Sequence, residues 1–367
     1  MNKLYLFALS AVTTITIASC GASAVSSGDK VDLDKFSFTA SYRDLPRRAL
    51  DTSFHTFSVK VDHGLVTRLA MRKSEMEDQV MIEGWRRLPY DAHIHINIKF
   101  EDIIVQGSEV KEKVEILKDK SGKETGKRIT YTLEVAYSFG AHAKITDYKG
   151  NLVDNVTLAS RDQRRVHHSD PFPSAAEANA YAKYGLILLI PQLTKQSMNN
   201  AIANLNNSLT QDYGYPERTV SDHFWIVASR KHPEYENHRR AWATFRQAIT
   251  QMSPDEPLDE VKRMMQPVID YYNKVTKIYT SDSKGDKKMR YASHYNLAKI
   301  YWYLDDPDAA LREANELIIN GYDARDGHRL EAGATELKTL MRQSRMYSRH
   351  FRVRVHDYQG PDMAGSE

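Results

Sequence analysis

Only one cysteine, Cys20, occurs in 367 residues, so no intramolecular disulfide can form. The fold must rest on its apolar core, for which 41% hydrophobic residues, 21 tyrosines and 11 phenylalanines supply the material. Beyond the first residues there is no hydrophobic run long enough to span a bilayer. Leu186-Ile187-Leu188-Leu189-Ile190 stops at Pro191, well short of the roughly 20 residues a spanning helix needs. An excess of either charge is lacking as well: 51 Lys and Arg stand against 48 Asp and Glu, a formal net charge of +3, which carries no overall signature of nucleic-acid binding. HExxH, GxSxG, phosphate-loop and dinucleotide-binding motifs are all absent. No catalytic residue is nominated and no cofactor is expected.

What is present begins at the N-terminus. Met1-Asn2-Lys3 is a short basic start, and residues 4–17 form an apolar run of the length of a secretory signal peptide. Ile17-Ala18-Ser19-Cys20 closes it. This quartet resembles a bacterial lipobox, an aliphatic residue and two small ones before cysteine. The resemblance implies cleavage after residue 19 and lipidation of Cys20 by two or three acyl chains, palmitate among them. One chain gives only marginal anchoring at about 0.8 kcal/mol per buried CH₂, whereas several hold a protein at the bilayer. Lipidation of Cys20 also leaves no thiol for a zinc site or for cysteine catalysis. Residues 20–35, small and polar at first, are expected to be a flexible tether.

From residue 36 to about 160 the dominant period is two. Ala92-His93-Ile94-His95-Ile96-Asn97-Ile98-Lys99-Phe100 alternates without a break, placing Ala92, Ile94, Ile96, Ile98 and Phe100 toward a core. Residues 110–118 and 128–139 flank a polar glycine-containing loop and read as a long hairpin; residues 143–148 and 151–159 read as another across Lys149-Gly150. A helix is expected over 66–85. Ser174-Ala175-Ala176-Glu177 is a capping box that should start a helix running toward Leu209, kinked or divided at Pro191. Together, residues 36–215 predict an α+β domain: an antiparallel sheet with covering helices. From 220 to 350 the period becomes helical, predicting helices at 237–252, 258–279, 288–304, 307–320 and 330–347 with short polar links, hence hairpins. Residues 351–367 are expected to be a tail, disordered from Pro361.

Within the helical part, Leu297, Ala298, Tyr301, Ala310, Ala314 and Leu317 resemble one tetratricopeptide repeat (TPR). Small residues stand where two helices approach closely, and Asp305-Asp306-Pro307 occupies the tight turn. Trp242, Phe245, Ile249 and Leu258 look like a degenerate earlier copy, with Arg246 where a small residue belongs. The resemblance implies an all-α, TPR-like domain that binds a protein on a concave surface. Tyr42-Arg43-Asp44-Leu45-Pro46 and Ile82-Glu83-Gly84-Trp85-Arg86-Arg87, with the helical end, are similar at the level of pattern to lipoproteins of the Bacteroidota. Surface-exported members carry acidic residues directly after the lipidated cysteine; here the first acid is Asp29. An outer-membrane anchor facing the periplasm is the resulting expectation.

The expected function is a non-enzymatic, lipid-anchored envelope scaffold or adaptor. It would touch the bilayer through Cys20 and hold an envelope protein, with Tyr301, Trp302, Tyr303 and Trp242 as candidate anchors, although most of this aromatic set suits packing between helices. A carbohydrate-binding lipoprotein and an envelope enzyme with a site between the two domains are the rival readings. His93 and His95, two apart on one strand face, are the weak metal candidates, although that face is shared with Asn97 and Lys99. His167-His168 reads as loop. The basic clusters at 46–48, 86–87, 161–165 and 239–240 read mainly as solvated charge.

Overall fold

The computed structural model describes residues 31–48 and 50–362; the expected signal peptide, Cys20 and most of the expected tether lie outside that span. The first strand is β1 (Leu33–Arg43), followed by β2 (Thr56–His63) and two six-residue helices, α1 (Leu65–Ala70) and α2 (Lys73–Asp78). Seven strands come next: β3 (Arg86–Arg87), β4 (Ile94–Phe100), β5 (Ile104–Lys118), β6 (Glu124–Ser138), β7 (Ala141–Asp147), β8 (Leu152–Ala159) and β9 (Arg165–His168). After α3 (Ala175–Tyr184) and α4 (Leu186–Tyr213) comes β10 (Glu217–Val227). The chain then runs through α5 (Tyr235–Ile249), α6 (Asp259–Ile278), α7 (Lys284–Tyr303), α8 (Pro307–Asn320) and α9 (Ala324–Ser344).

The alternating stretch around residue 96 becomes β4, the centre of a five-stranded sheet ordered β3-β2-β4-β7-β8. Ile94, Ile96, Ile98 and Phe100 are buried, each contributing roughly 1.5–3 kcal/mol of apolar transfer. They pack in one core with Leu189, Leu193, Ile202, Leu205 and Leu209 of α4. The sheet is mixed, not antiparallel: β2 runs parallel to both β3 and β4. Period-two patterning is the same for either sense; the deciding feature is the crossover through α1 and α2, which parallel pairing requires. The expected single helix over 66–85 is split into α1 and α2 by extended backbone at Met71 and Arg72. A separate sheet, β5-β6-β9, carries the long hairpin, and β9 takes His167 and His168 out of the expected loop. Ser174 caps α3, accepting from the Glu177 amide at 3.2 Å. The break before α4 falls at Gly185, not at Pro191, which lies inside α4. A Cβ at Gly185 would stand 2.6 Å from the Tyr181 ring.

The largest departure from expectation concerns β1. It pairs antiparallel with β10, from Leu33↔Val227 to Arg43↔Glu217, so the strand expected to open the sheet domain belongs with the helices. Leu33 and Asp34 are already strand, which shortens the expected tether. Phe38, Ala40 and Tyr42 on β1 and Phe224 and Ile226 on β10 bury one face of this ribbon. They join Trp242 and Phe245 of α5, Met265 and Tyr272 of α6, and Leu297 and Ile300 of α7 in a second core. The helices follow one another through short links. Asp306 caps α8 by accepting from the Ala309 amide, with Pro307 at its first position.

Residues 349–358 form a strap across the two bodies. The Arg43 amide donates to the Arg349 carbonyl and the Phe351 amide to the Pro254 carbonyl, each at 2.9 Å. The Arg86 guanidinium donates to the carbonyls of His356 and Tyr358, and Tyr358 stacks on His55 at 4.5 Å. The segment expected as a tail is thus ordered up to at least Tyr358, because its carbonyls meet buried or half-buried arginines.

His238 on α5 is fully buried against Tyr271 and Tyr272, and neither ring nitrogen has a hydrogen-bond partner. Burial pushes its pKa down from 6.5 to about 3. The folded state therefore binds fewer protons than the unfolded state between those values, and stability falls as pH drops below 6.5. Linkage gives a loss of about 2 kcal/mol at pH 5 relative to pH 8 from this residue. Urea titrations at the two pH values check it: His238→Leu is expected to lose most of the difference, and an unchanged difference would refute the assignment.

Candidate functional site

Where β10 leaves the helices, two adjoining cavities open between it, α7 and α9, sharing Tyr42, Val220, Trp302 and Gly333 in their walls. Their volumes are about 410 and 500 Å³. The first is bounded by Arg47, Arg218, Glu336, Leu337 and Leu340; the second by Ser221, Asp222, His223, Tyr295, Lys299 and Arg329. Gly333 makes room midway along α9, since a side chain there would meet only the Trp302 indole nitrogen, at 3.9 Å. A wider depression of about 690 Å³ lies between residues 78–87 and Val353 and Val355, and it is more open to solvent.

Much of the charge inside the groove is paired, Arg47 and Glu336 excepted. Asp222 takes Lys299 Nζ at 2.5 Å and the Tyr303 hydroxyl at 2.8 Å. Arg218 binds Asp44, and Arg329 binds Asp326 on its own helix. The Arg349 guanidinium is held between the rings of Tyr42 and Trp302, 4.2 and 4.0 Å from their centroids. It pairs with Asp305 at 2.7 Å, with the two side chains 4% and 0% exposed. Burial, then the neighbouring Asp222 charge, push the Tyr303 phenol far up. Burial pushes His223 down, helped by Lys35, leaving a neutral imidazole 3.2 Å from the Tyr295 hydroxyl. Protonated phenols, a neutral histidine and an ion-paired lysine present no activated nucleophile; they form hydrogen-bonding and apolar walls.

The sequence-nominated residues fall in different places. Trp242 and Tyr303 are buried in the second core, Trp242 among Phe36, Phe38, Phe224 and Phe245. Tyr301 is half-buried against the same core. Trp302 alone of the four lines both cavities, its indole N–H donating to the Gly333 carbonyl at 3.3 Å. His93 is not on a solvated surface: it is buried, stacked on Phe54 and 2.7 Å from the Thr56 hydroxyl. His95 similarly meets the Ser58 hydroxyl at 2.7 Å. Both imidazoles thus bind hydroxyls of β2, and among the described residues no group of three or more His, Cys, Asp or Glu is disposed to hold a metal ion. The basic clusters are engaged within the fold: Arg48 with Asp154 and Asp212, Arg87 with Asp78, Arg161 with Glu101, Arg239 over the rings of Phe36 and Tyr235.

Asp222, Lys299, Asp305 and Arg349 were not nominated from sequence. Asp222 had one available signal, an acid on the apolar face of Phe224 and Ile226, but it is visible only once residues 217–227 are read as a strand. No protein-family model matches this chain, and no curated protein matches it significantly. Among the described residues no helix is long and apolar enough to cross a membrane.

Proposed function

We propose that this protein is a non-enzymatic lipoprotein adaptor of the outer membrane. Acylated Cys20 would hold it on the periplasmic face, and its TPR-like helices would dock an envelope protein, as part of an outer-membrane assembly or secretion complex. The observation that carries the reading is the two-lobed groove, in which Trp302, Leu337 and Leu340 supply apolar surface between paired charges. Further support comes from the α7–α8 hairpin. Ala298, Ala310, Ala314 and Leu317 are all buried, as close helix packing at a repeat of that kind demands. The β1–β10 ribbon packs on α5, α6 and α7, so docking would fall to the open part beside α9. A glycan platform has less support, because Trp242 and Tyr303 are spent on the core.

A photoreactive amino acid at Glu336, exposed in the groove, tests the adaptor. Irradiation of native membranes is expected to give one discrete adduct absent when the probe stands at Lys120 in the distal hairpin turn. No adduct from Glu336 or from Leu340 would sink the reading. The anchor has its own test. Cys20→Ser is expected to abolish palmitate labelling and to block signal-peptide processing at that site; unchanged labelling and processing would refute lipidation.

A further inference from the structure

Backbone groups along a strand alternate in direction, and among the described residues β10 pairs on one side only, with β1. The even-numbered residues face β1: the Ala228 amide donates to the Asp32 carbonyl at the end of the ribbon, and the Asp44 amide to the Pro216 carbonyl at the other. The odd-numbered residues of β10 therefore turn their N–H and C=O away from β1, toward α7 and α9. At Trp225 the fold closes this edge. Asn296 of α7, fully buried, accepts from the Trp225 amide and donates to the Trp225 carbonyl, both at 2.9 Å. One side-chain amide thus stands in for the peptide group of a neighbouring strand. At His223 the N–H is turned onto the Asp222 carboxylate at 2.8 Å. Beyond it the closure stops. Ser221 and Thr219 are exposed, and among the described residues their outward N–H and C=O groups have no protein partner. His223 and Ser221 line the larger cavity, and Val220 lines both.

We propose that the groove takes an extended segment of a partner polypeptide, added as a third strand to the β10 edge from Thr219 to His223. This deepens the adaptor reading and rests on it. The edge dictates the ligand class: alternating donors and acceptors are matched by a peptide backbone, and by neither a helix nor a glycan. Five residues at about 3.4 Å each reach roughly 17 Å, a length suited to the two lobes. Alternate side chains of the added strand face Trp302, Leu330 and Leu337 and should be apolar; the intervening ones face solvent. The opposite edge, on β1, exposes Lys35, Ser37 and Thr39 but lines neither cavity. It supplies an internal control.

A random 12-residue peptide library displayed on phage, panned on the full chain, provides the probe. Selected peptides should carry apolar residues at alternate positions. Ser221→Pro removes an outward N–H without touching the β1 ladder, and proline is tolerated on an edge. It is expected to weaken binding at least about tenfold, from one lost hydrogen bond and a carbonyl partner displaced by the ring. Ser221→Ala and Thr39→Pro should leave affinity within about twofold. A measurement on the peptide covers the case in which Ser221→Pro disturbs the fold. Methylating the peptide's backbone nitrogens one at a time should abolish binding at one parity and spare the other. Failure to select any peptide, binding indifferent to Ser221→Pro, or tolerance of N-methylation at every position would each overturn strand addition. The Glu336 adduct separates the two readings: an adduct that persists with Ser221→Pro leaves the adaptor standing without strand pairing, and no adduct in either protein removes both.

Discussion

Asp305→Ala is expected to cost the folded state about 3–5 kcal/mol, the loss that follows when one member of a buried ion pair is removed. The Asp305 side chain is fully buried and satisfied three times. It accepts from Arg349 Nε at 2.7 Å, from the Arg349 amide at 2.6 Å and from the Ser348 hydroxyl at 2.9 Å. Without it the guanidinium stays between Tyr42 and Trp302 with only the Trp302 carbonyl, at 2.6 Å, as a hydrogen-bonding partner. Part of the cost is backbone strain. Asp305 stands at φ 59°, where alanine is disfavoured by roughly 1–2 kcal/mol and asparagine is better tolerated. Asp305→Asn keeps the backbone and removes the charge, so it isolates the electrostatic part. Adding Arg349→Met to Asp305→Asn should recover most of that part, since the uncompensated charge is then gone. Guanidinium-chloride midpoints measure the cycle. A cost below about 1 kcal/mol for Asp305→Ala would mean that the strap is not held through this pair.

What was legible in the sequence was local. The alternation around Ile96, the Ser174 cap and the Asp306-Pro307 helix start each act within a few residues and each forms, although the Glu177 carboxylate accepts from the Ser174 hydroxyl instead of from its amide. The helix positions from 235 onward also follow, because a 3.6 period survives whatever the helix packs on. What was not legible depends on partners far away in the chain. Phe36 to Tyr42 alternates in a way that suits either core, and only the pairing with residues 218–224 decides between them. That pairing crosses the whole sheet body, so no window of sequence contains it. The same holds for Arg349: at the end of the helical stretch its sequence neighbours give it no role, and its partners Asp305, Tyr42 and Trp302 lie far away in the chain. For Trp242 and Tyr303 the sequence left open packing between helices or anchoring of a partner, and both are buried. An aromatic side chain serves equally as core or as anchor, and the ribbon turned both inward by filling the surface they might have faced. His93 lies at the end of its strand, where the face exposed at Asn97 and Lys99 is covered instead by Phe54 and Thr56.

Because the ribbon supplies the helices with part of their core, its central residue should matter as much as any in the helices themselves. Phe224 is fully buried, with ring centroids of Phe245 at 4.0 Å, Phe38 at 5.3 Å, Trp242 at 6.0 Å and Tyr272 at 6.5 Å. Four rings on three elements cannot all close on the space an alanine leaves, so the cavity persists. Phe224→Ala is expected to cost about 3–5 kcal/mol, and Phe224→Leu, which retains much of the volume, under about 1.5 kcal/mol. Native-state hydrogen exchange shows where that cost falls. Amides of α5, α6 and α7 should lose protection by the full amount, together with those of β1, although even the nearest pair of the ribbon, Arg43 and Glu217, is 174 positions apart in the chain. Amides of β4 and β7 report the sheet core, in which Phe224 takes no part. If they keep their protection, the two bodies open separately and the strap is a weak tie. If they lose it to the same extent, the strap and the Asp305–Arg349 pair make the chain one cooperative unit, and the two substitutions should then lower the same single transition.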